Sequence, residues 1–185
     1  MRTDARLNRE RILAAAEEVF SEQGSAGSTE EVARRAGVGI ATVFRNFPTK
    51  DQLIEATLVR TFDRRTELAR RLATADDPAE ALRTLVRTMI EDGPTKIVLA
   101  TLITADGRIP ADAEQASDRL KEAVGAVVQR AQDADAIRPG VTVDEVYFLV
   151  RGLAQAAAAS PVPAATMRGA IDVVLTGLTG LVGSG

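Results

Sequence analysis

Apolar residues recur along most of the chain at intervals of three and four positions, the spacing of one face of an α-helix. Short groups of Gly, Pro, Asp, Ser and Thr separate these stretches and favour turns and helix ends. We find no strand-like alternation of consequence. The pattern therefore predicts an all-α protein, with helices over about 6–23, 28–36, 40–47, 49–72, 81–91, 97–103, 110–131, 143–159 and 164–182. Residues 1–5 are expected to fray, and the almost entirely apolar helix at 97–103 is expected to be buried on most sides.

Two short helices joined by a tight turn are predicted between Ser28 and Phe47. Ser28 followed by Glu31 is a capping box that starts a helix, and Gly37 suits the left-handed position just past its end. In the next helix, Val43 and Phe47 are four positions apart and share one face, which leaves the other residues for other faces. Helix, short turn with glycine and helix is the helix-turn-helix pattern, whose second helix enters the DNA major groove.

A longer stretch around this motif resembles the DNA-binding segment of TetR-type transcriptional regulators. The resemblance is carried by AGVGIATVFRNFPTKDQL over 36–53, by RILAAA over 11–16 and by Phe20. First helix, cap, turn and F-P-x-K tail follow one another in the family's order and spacing across roughly residues 5–65. The resemblance implies a homeodomain-like three-helix DNA-binding domain over 5–65, with the helix-turn-helix at 28–47. It also implies a C-terminal helical bundle over 76–185 for ligand binding and dimerisation.

Several side chains of this segment are candidates for contacts with duplex DNA. Ser28 and Lys50 lie at helix starts, where backbone amides can hold a phosphate. Thr42 can meet a phosphate or a thymine methyl group, and Arg45, the only cation of the second helix, can pair with guanine. The resemblance implies that Thr42, Phe44, Asn46 and Lys50 are typical contacts and that Ile40, Ala41 and Arg45 vary with the operator. The predicted DNA-binding residues are Ser28, Gly39, Ile40, Ala41, Thr42, Phe44, Arg45, Asn46 and Lys50.

Two of these residues depart from the family's usual pattern. The family usually has tyrosine at the position of Phe44, and its hydroxyl typically meets a phosphate. Phe44 loses that bond but can still pack on the sugar-phosphate backbone. The family often has serine at the position of Gly39, and a glycine there weakens the helix cap by only a few tenths of a kcal/mol.

The composition argues against catalysis and metal binding. The 185 residues include no histidine and no cysteine, which removes the commonest general base, the commonest neutral metal ligand and all disulfides. We therefore expect no enzyme activity, no catalytic residues, no cofactor and no metal site. Because no apolar run reaches membrane-spanning length, we also expect a cytoplasmic protein without a membrane partner.

The net charge of −3 is unevenly distributed along the chain. Residues 1–50 carry a net charge of +1 and the remainder carries −4, so the acidic excess lies away from the expected DNA-binding end. Arg64, Arg65, Arg70 and Arg71 are expected to form a solvated helix face, although a phosphate-binding patch is an alternative.

The C-terminal half offers candidates for ligand binding and for dimerisation. Tyr147, Arg151 and Gln155 are spaced by four on an apolar helix, where anchors of a ligand cavity and a polar seam between subunits fit equally well. The last two helices carry little charge, so we expect them to pair with those of a second copy in a homodimer. The stripe expected at that interface is Ile171, Val174, Leu175, Leu178 and Val182.

The resemblance implies a repressor that binds a palindromic operator in double-stranded DNA as a dimer and is released by a small, largely apolar effector. The effector would bind among the middle helices, between about residues 79 and 155, and would shift the helix at 49–72. One alternative is a DNA-binding regulator without a ligand, whose C-terminal bundle only dimerises. Another is a small helical enzyme, against which the absence of His and Cys argues.

Overall fold

The computed structural model describes residues 2–103, 109–160 and 162–179, and every regular element in these ranges is helical. The predicted all-α fold is thereby confirmed. The α-helices of these ranges are α1 (Arg2–Gln23), α2 (Thr29–Ala36), α3 (Ile40–Asn46), α4 (Lys50–Leu72), α5 (Pro78–Glu91), α6 (Gly93–Ile103), α7 (Ala111–Asp133), α8 (Val143–Ala159) and α9 (Ala164–Thr179). A 3-10 turn at Gly24–Ala26 follows α1.

The largest differences from the predicted helix bounds are at the starts of α1 and α6. α1 already begins at Arg2, where we expected fraying, and Asp4 in its first turn complements the positive end of the helix dipole. α6 begins at Gly93, and among the described side chains of 97–102 only Leu99 is fully buried. The expectation that this segment is buried on most sides is therefore wrong for the single chain.

The described residues fall into two compact units. The first comprises residues 1–62 and 95–117, and the second comprises 63–94 and 118–185. The dividing points lie inside α4, α6 and α7. The division into a DNA-binding domain over 5–65 and a C-terminal domain over 76–185 stays a prediction.

The core of the first unit is formed by the apolar faces of its helices. Arg60 of α4 donates to Glu10 and Glu17 of α1 at 3.1 and 2.9 Å. Such ion pairs near a surface contribute about 0–1 kcal/mol each, whereas burial of one large apolar side chain contributes about 1.5–3 kcal/mol. The apolar core therefore dominates the stability. Its members include Ile12, Leu13, Ala16, Val19, Phe20, Val32, Val43, Phe47, Leu53, Ile54 and Leu58.

In the second unit, α5 packs against α8 and α9. Asp77 caps α5 by accepting from the Glu80 N–H at 2.9 Å, and Pro78 occupies the first turn. A capping box that we did not predict starts α8, where Thr142 and Glu145 bind each other's backbone N–H at 2.7–3.2 Å. The buried residues of α5 recur at helical spacing and are Ala81, Leu82, Leu85, Val86, Met89 and Ile90.

Arg65 does not lie on a solvated face. It is only 5% exposed, and its guanidinium donates to the carbonyl oxygen of Asp92. The neighbours Arg64, Arg70 and Arg71 are exposed, as expected. The structure thus separates Arg65 from the rest of the predicted group, because the Asp92 carbonyl oxygen provides a part-buried acceptor for its guanidinium.

The stripe predicted as the dimer seam on α9 points into the chain's own core. Ile171, Leu175 and Leu178 are 1%, 7% and 3% exposed, since α9 packs on α5. The carbonyl oxygen of Leu178 also accepts from the Arg138 backbone N–H at 2.9 Å. Because these three side chains are buried within the chain, they cannot also contact a second copy. The predicted position of the dimer interface is therefore corrected. Val174 is half-buried, and Val182 lies outside the described residues.

Candidate nucleic-acid interface

The start of α2 is fixed by Ser28, as predicted. Ser28 Oγ accepts from the Glu31 backbone N–H at 3.1 Å. The second half of the predicted capping box is replaced by other bonds, because both oxygens of the Glu31 carboxylate accept from Arg34 and Arg35. The Ser28 cap is confirmed. The other half of the capping box, a bond from the Ser28 backbone N–H to the Glu31 carboxylate, does not form.

An ionic cluster formed by Glu22, Glu31, Arg34 and Arg35 joins α1 to α2. Arg35 donates to Glu22 of α1 at 2.6 Å and to Glu31 of α2 at 2.9 Å. Hydrogen bonds from Arg34 and then Arg35 lower the pKa of the Glu31 carboxyl to about 2. The hydrogen bond from Arg35 also lowers the pKa of the Glu22 carboxyl. The Glu31 pairs follow helical spacing and were readable from the sequence, but the Glu22 pair requires two helices to pack.

The turn between α2 and α3 has the predicted glycine geometry. Gly37 has φ 67° and ψ 34°, the left-handed conformation that glycine adopts without steric cost. The Val38 backbone N–H donates to the Ala33 carbonyl oxygen at 3.1 Å and closes the end of α2. Gly39 then caps α3 with extended backbone, and a Cβ added to it would meet no atom within 4 Å.

α3, with Phe47 directly after it, has an anchored face and an outward face. Val43 and Phe47 are 0% and 3% exposed, as their spacing predicted. The remaining predicted contacts on α3 stay accessible: Ile40, Ala41, Phe44 and Arg45 are exposed, and Thr42 and Asn46 are half-buried. The helix therefore presents a continuous surface to a partner while its buried residues hold it in the unit.

Two polar side chains on this surface bind back onto α3 itself. Arg45 Nε donates to the Ala41 carbonyl oxygen at 3.2 Å, and Arg45 Nη2 donates to Thr42 Oγ1 at 3.0 Å. Asn46 Nδ2 donates to the Thr42 carbonyl oxygen at 2.8 Å. Sequence spacing alone did not predict these contacts, although each joins residues three or four positions apart.

Lys50 lies at the start of α4, where the sequence placed it. Its ammonium donates to the Ser25 carbonyl oxygen at 2.9 Å and lies 5.6 Å from the centre of the Phe20 ring. Lys50 therefore also links α4 to the connection between α1 and α2. A second cation-ring contact, Arg9 over Phe47 at 4.7 Å, was missed because it joins two helices.

The three polar candidates of α8 do not share one environment. The Tyr147 hydroxyl is buried and makes no hydrogen bond within the described residues, whereas Arg151 and Gln155 are exposed. Burial raises the pKa of the Tyr147 phenol above its ordinary value. The structure thus keeps Tyr147 as a candidate for a buried contact and moves Arg151 and Gln155 to the surface of the single chain.

No helix within 2–103, 109–160 and 162–179 combines the length and the apolarity needed to cross a bilayer. In the same part of the chain, no three acidic side chains come together as a group that could hold a metal ion.

Comparisons with known families and proteins match the two halves of the chain separately. The family model described as bacterial regulatory proteins, tetR family, matches residues 12–57. A model described as transcriptional regulator SbtR-like, C-terminal domain, matches residues 77–180. A helix-turn-helix-type transcriptional repressor of Mycobacterium tuberculosis is 39% identical over 88 residues, which make up 45% of this chain and 47% of that protein. The match thus spans about half the length of that relative.

Solved structures resemble the chain over nearly its whole length. A TetR transcriptional regulator from Streptomyces coelicolor is 32% identical, with a TM-score of 0.80 over 92% of this chain and 97% of that one. A TetR transcription regulatory protein from Mycobacterium vanbaalenii is 30% identical, with a TM-score of 0.79 over 96% and 98% of the two chains. The chain belongs to the TetR family of bacterial transcriptional regulators.

Proposed function

We propose that the protein is a dimeric, ligand-released repressor that binds a palindromic operator in double-stranded DNA through α3. One observation carries this proposal: Val43 anchors α3 in the core while Ile40, Ala41, Phe44 and Arg45 stay exposed on the same helix. The major groove of DNA is about 12 Å wide and admits one α-helix. A short helix with a buried anchor and an exposed outer surface suits that groove.

Different residues of this surface would contact different parts of the duplex. The exposed side chains near the start of α3 would face the bases, because the N-terminal residues of a recognition helix contact base edges. Ser28 and Lys50, at the starts of α2 and α4, would lie against phosphates, where backbone amides and an ammonium attract anions. The protein would act in the cytoplasm, together with the DNA it regulates.

A dimer would bring two recognition helices to one palindrome. We place its interface on the outward faces of α8 and α9, where Phe148 and Val173 are 79% and 73% exposed. Large exposed apolar side chains of this kind are typical of surfaces that bind a partner. Gly152, Gly169 and Gly177 support this position, since a Cβ added to any of them would meet no atom within 4 Å. Small residues on both helices would let a second copy approach closely.

A small, largely apolar effector would release the DNA. Tyr147 supports a buried contact with such a molecule, because its hydroxyl makes no hydrogen bond within the described residues and can donate to a ligand oxygen. Half-sites on one face of the duplex are read together only at about 34–36 Å or a multiple of it. An effector that prefers a dimer with another spacing would weaken operator binding by its differential affinity, typically about 1–3 kcal/mol.

Selection of bound sequences from a random duplex pool tests the DNA-binding proposal. We expect a palindromic motif with two half-sites, and sedimentation of the purified complex should give two chains per duplex. A pool that remains random after repeated selection, or one chain per selected duplex, would contradict the proposal.

The effector proposal has a direct probe because Tyr147 is the only tyrosine and the chain contains no tryptophan. Intrinsic fluorescence therefore reports on Tyr147 alone. A panel of small apolar compounds should contain members that change this fluorescence and release the selected duplex at the same concentrations. If compounds that change the fluorescence leave the duplex bound, the bundle serves dimerisation only.

A further inference from the structure

Thr42 and Arg45 are three positions apart on α3, and a hydrogen bond joins their side chains. Arg45 Nη2 donates to Thr42 Oγ1 at 3.0 Å, and Arg45 Nε donates to the Ala41 carbonyl oxygen at 3.2 Å. Both bonds run from the last turn of α3 back toward its first turn. They hold the guanidinium near Ala41 and Thr42, so its charge lies N-terminal to the backbone position of Arg45.

We propose that Thr42 is a positioning residue for Arg45, and that its hydroxyl holds the guanidinium in the orientation that reads a guanine. Thr42 would then influence base preference without touching a base. This inference rests on the proposed DNA-binding function and deepens it. It gives Thr42 a role different from the phosphate or thymine contact that the sequence suggested.

The donors that remain on Arg45 fit this role. Nε–H and the Nη2–H on the same edge of the planar guanidinium are directed to Ala41 and Thr42. The other edge, formed by Nη1–H and the second Nη2–H, makes no hydrogen bond within the described part of the chain. Two parallel donors on one edge match the O6 and N7 acceptors of guanine in the major groove. The bonds within α3 and the bond pair to guanine are therefore compatible.

The location of the guanidinium supports the same role. The N-terminal residues of a recognition helix are those that contact base edges, whereas Arg45 belongs to the last turn of α3. Its bonds to Ala41 and Thr42 carry its charge toward the correct end of the helix. The surface there is open, because Ala41 is small and exposed and a Cβ added to Gly39 would meet no atom within 4 Å.

Pre-ordering explains why the hydroxyl matters for binding. An exposed arginine side chain samples many rotamers. Holding it in one rotamer on the DNA costs conformational entropy, which weakens binding. A hydrogen bond that already selects the required rotamer in the free protein reduces this entropic cost of binding. Loss of one such hydrogen bond corresponds to about a 2- to 10-fold change in an equilibrium constant. The change would apply only to duplexes that carry the guanine which Arg45 reads.

Two substitutions at Thr42 separate the hydroxyl from the shape of the side chain. Thr42→Val removes the hydroxyl and keeps the β-branched shape, whereas Thr42→Ser keeps the hydroxyl. Each protein would be taken through selection from a random duplex pool, followed by measurement of Kd on the selected duplex and on single base-pair variants. We expect Thr42→Val to lose about 2- to 10-fold of discrimination at the base pair that Arg45→Ala also relaxes, and Thr42→Ser to retain it.

A double substitution tests whether the effect passes through Arg45. In an Arg45→Ala background, Thr42→Val should leave discrimination at that base pair unchanged, because there is no guanidinium to position. The inference is overturned if Thr42→Val weakens all duplexes equally with an unchanged motif, which is the signature of a phosphate contact. It is also overturned if the motif changes at a base pair that Arg45→Ala leaves intact.

The wild-type experiment separates this inference from the proposed function. If wild-type protein selects no motif, the DNA-binding proposal fails. If it selects a motif whose positions respond to Arg45→Ala but not to Thr42→Val, only the positioning role fails. Thermal unfolding of every variant shows that the helix-turn-helix remains folded, and both Thr42 variants are expected to melt within a few degrees of wild type.

Discussion

The backbone of Gly93, at the start of α6, lies directly against the side chain of Ala154 on α8. A Cβ added to Gly93 would lie 2.3 Å from Ala154 Cβ, closer than two such atoms can approach. The spacing of apolar residues gave no sign of this contact, because it depends on how two distant segments pack. Glycine at position 93 is therefore required for this approach of α6 to α8.

Gly93→Ala should destabilise the protein by about 1–3 kcal/mol, because an extra methyl group in a packed site forces the helices apart. Thermal unfolding measures the change. Gly125→Ala is the matched control, because its new Cβ would make an ordinary 3.6 Å contact with Val143. This substitution also replaces a glycine inside a helix. It should stabilise by about 0.5–1 kcal/mol. An unchanged melting temperature for Gly93→Ala would show that α6 does not approach α8 this closely.

The proposed dimer interface on α8 and α9 predicts opposite outcomes for two charged substitutions. Phe148→Arg adds a charge to the exposed apolar face of α8 and should give folded monomers. Leu178→Arg places a charge in the core of the single chain and should unfold the protein or greatly lower its melting temperature. Analytical ultracentrifugation and circular dichroism distinguish the two results.

A matched control for the dimer prediction is Leu7→Arg, which adds the same charge to an exposed leucine on α1 and should leave the dimer intact. A folded dimer of Phe148→Arg would place the interface elsewhere. Folded monomers of Leu178→Arg would restore the interface that the sequence predicted.

The ionic cluster predicts how stability depends on pH. The folded-state pKa of Glu31 lies at about 2, below its ordinary value of 4.5, so its bonds to Arg34 and Arg35 contribute fully above pH 4.5. The contribution is lost as pH falls from 4.5 toward 2. Glu31→Gln should melt below wild type at pH 6, and the two curves should converge as pH approaches 2. A difference in melting temperature that persists unchanged at pH 2 would contradict this assignment.

Lys50 is predicted to have two separable roles. Lys50→Ala removes the bond to the Ser25 carbonyl oxygen and should lower the stability of the free protein by up to about 1 kcal/mol. If the ammonium also neutralises a phosphate, the same substitution should reduce the slope of log Kd against log salt by about one. Lys50→Arg should restore the slope. A lower stability with an unchanged salt slope would leave Lys50 a purely structural role.

The parts of the fold that were predictable from the sequence depend on local chemistry. Ser28 caps α2, Gly37 turns the chain, and Val43 and Phe47 face the core, because each follows from residues within four positions of one another. The sequence could also identify the family because these local features occur in one order.

The errors arose where one helix meets another segment far away in the sequence. Apolar spacing on α9 showed that a face is buried, but not whether it faces this chain or a second copy, so Leu178 was misassigned. Arg65 was expected in solvent because its partner, the Asp92 carbonyl oxygen, lies 27 residues away. The polar bonds of Arg45 were missed for a different reason: the side chain has enough reach to select among several acceptors.

Operator reading by α3 is best tested by comparing the duplexes that wild-type protein and Arg45→Ala select. We expect wild type to select a palindrome with half-sites about one helical turn apart, each with a preferred guanine. Arg45→Ala should select the same palindrome with that preference relaxed, corresponding to a loss of roughly 1–3 kcal/mol of discrimination. Identical motifs from the two proteins would remove Arg45 from base reading, and the absence of a palindrome from wild type would refute operator binding through α3.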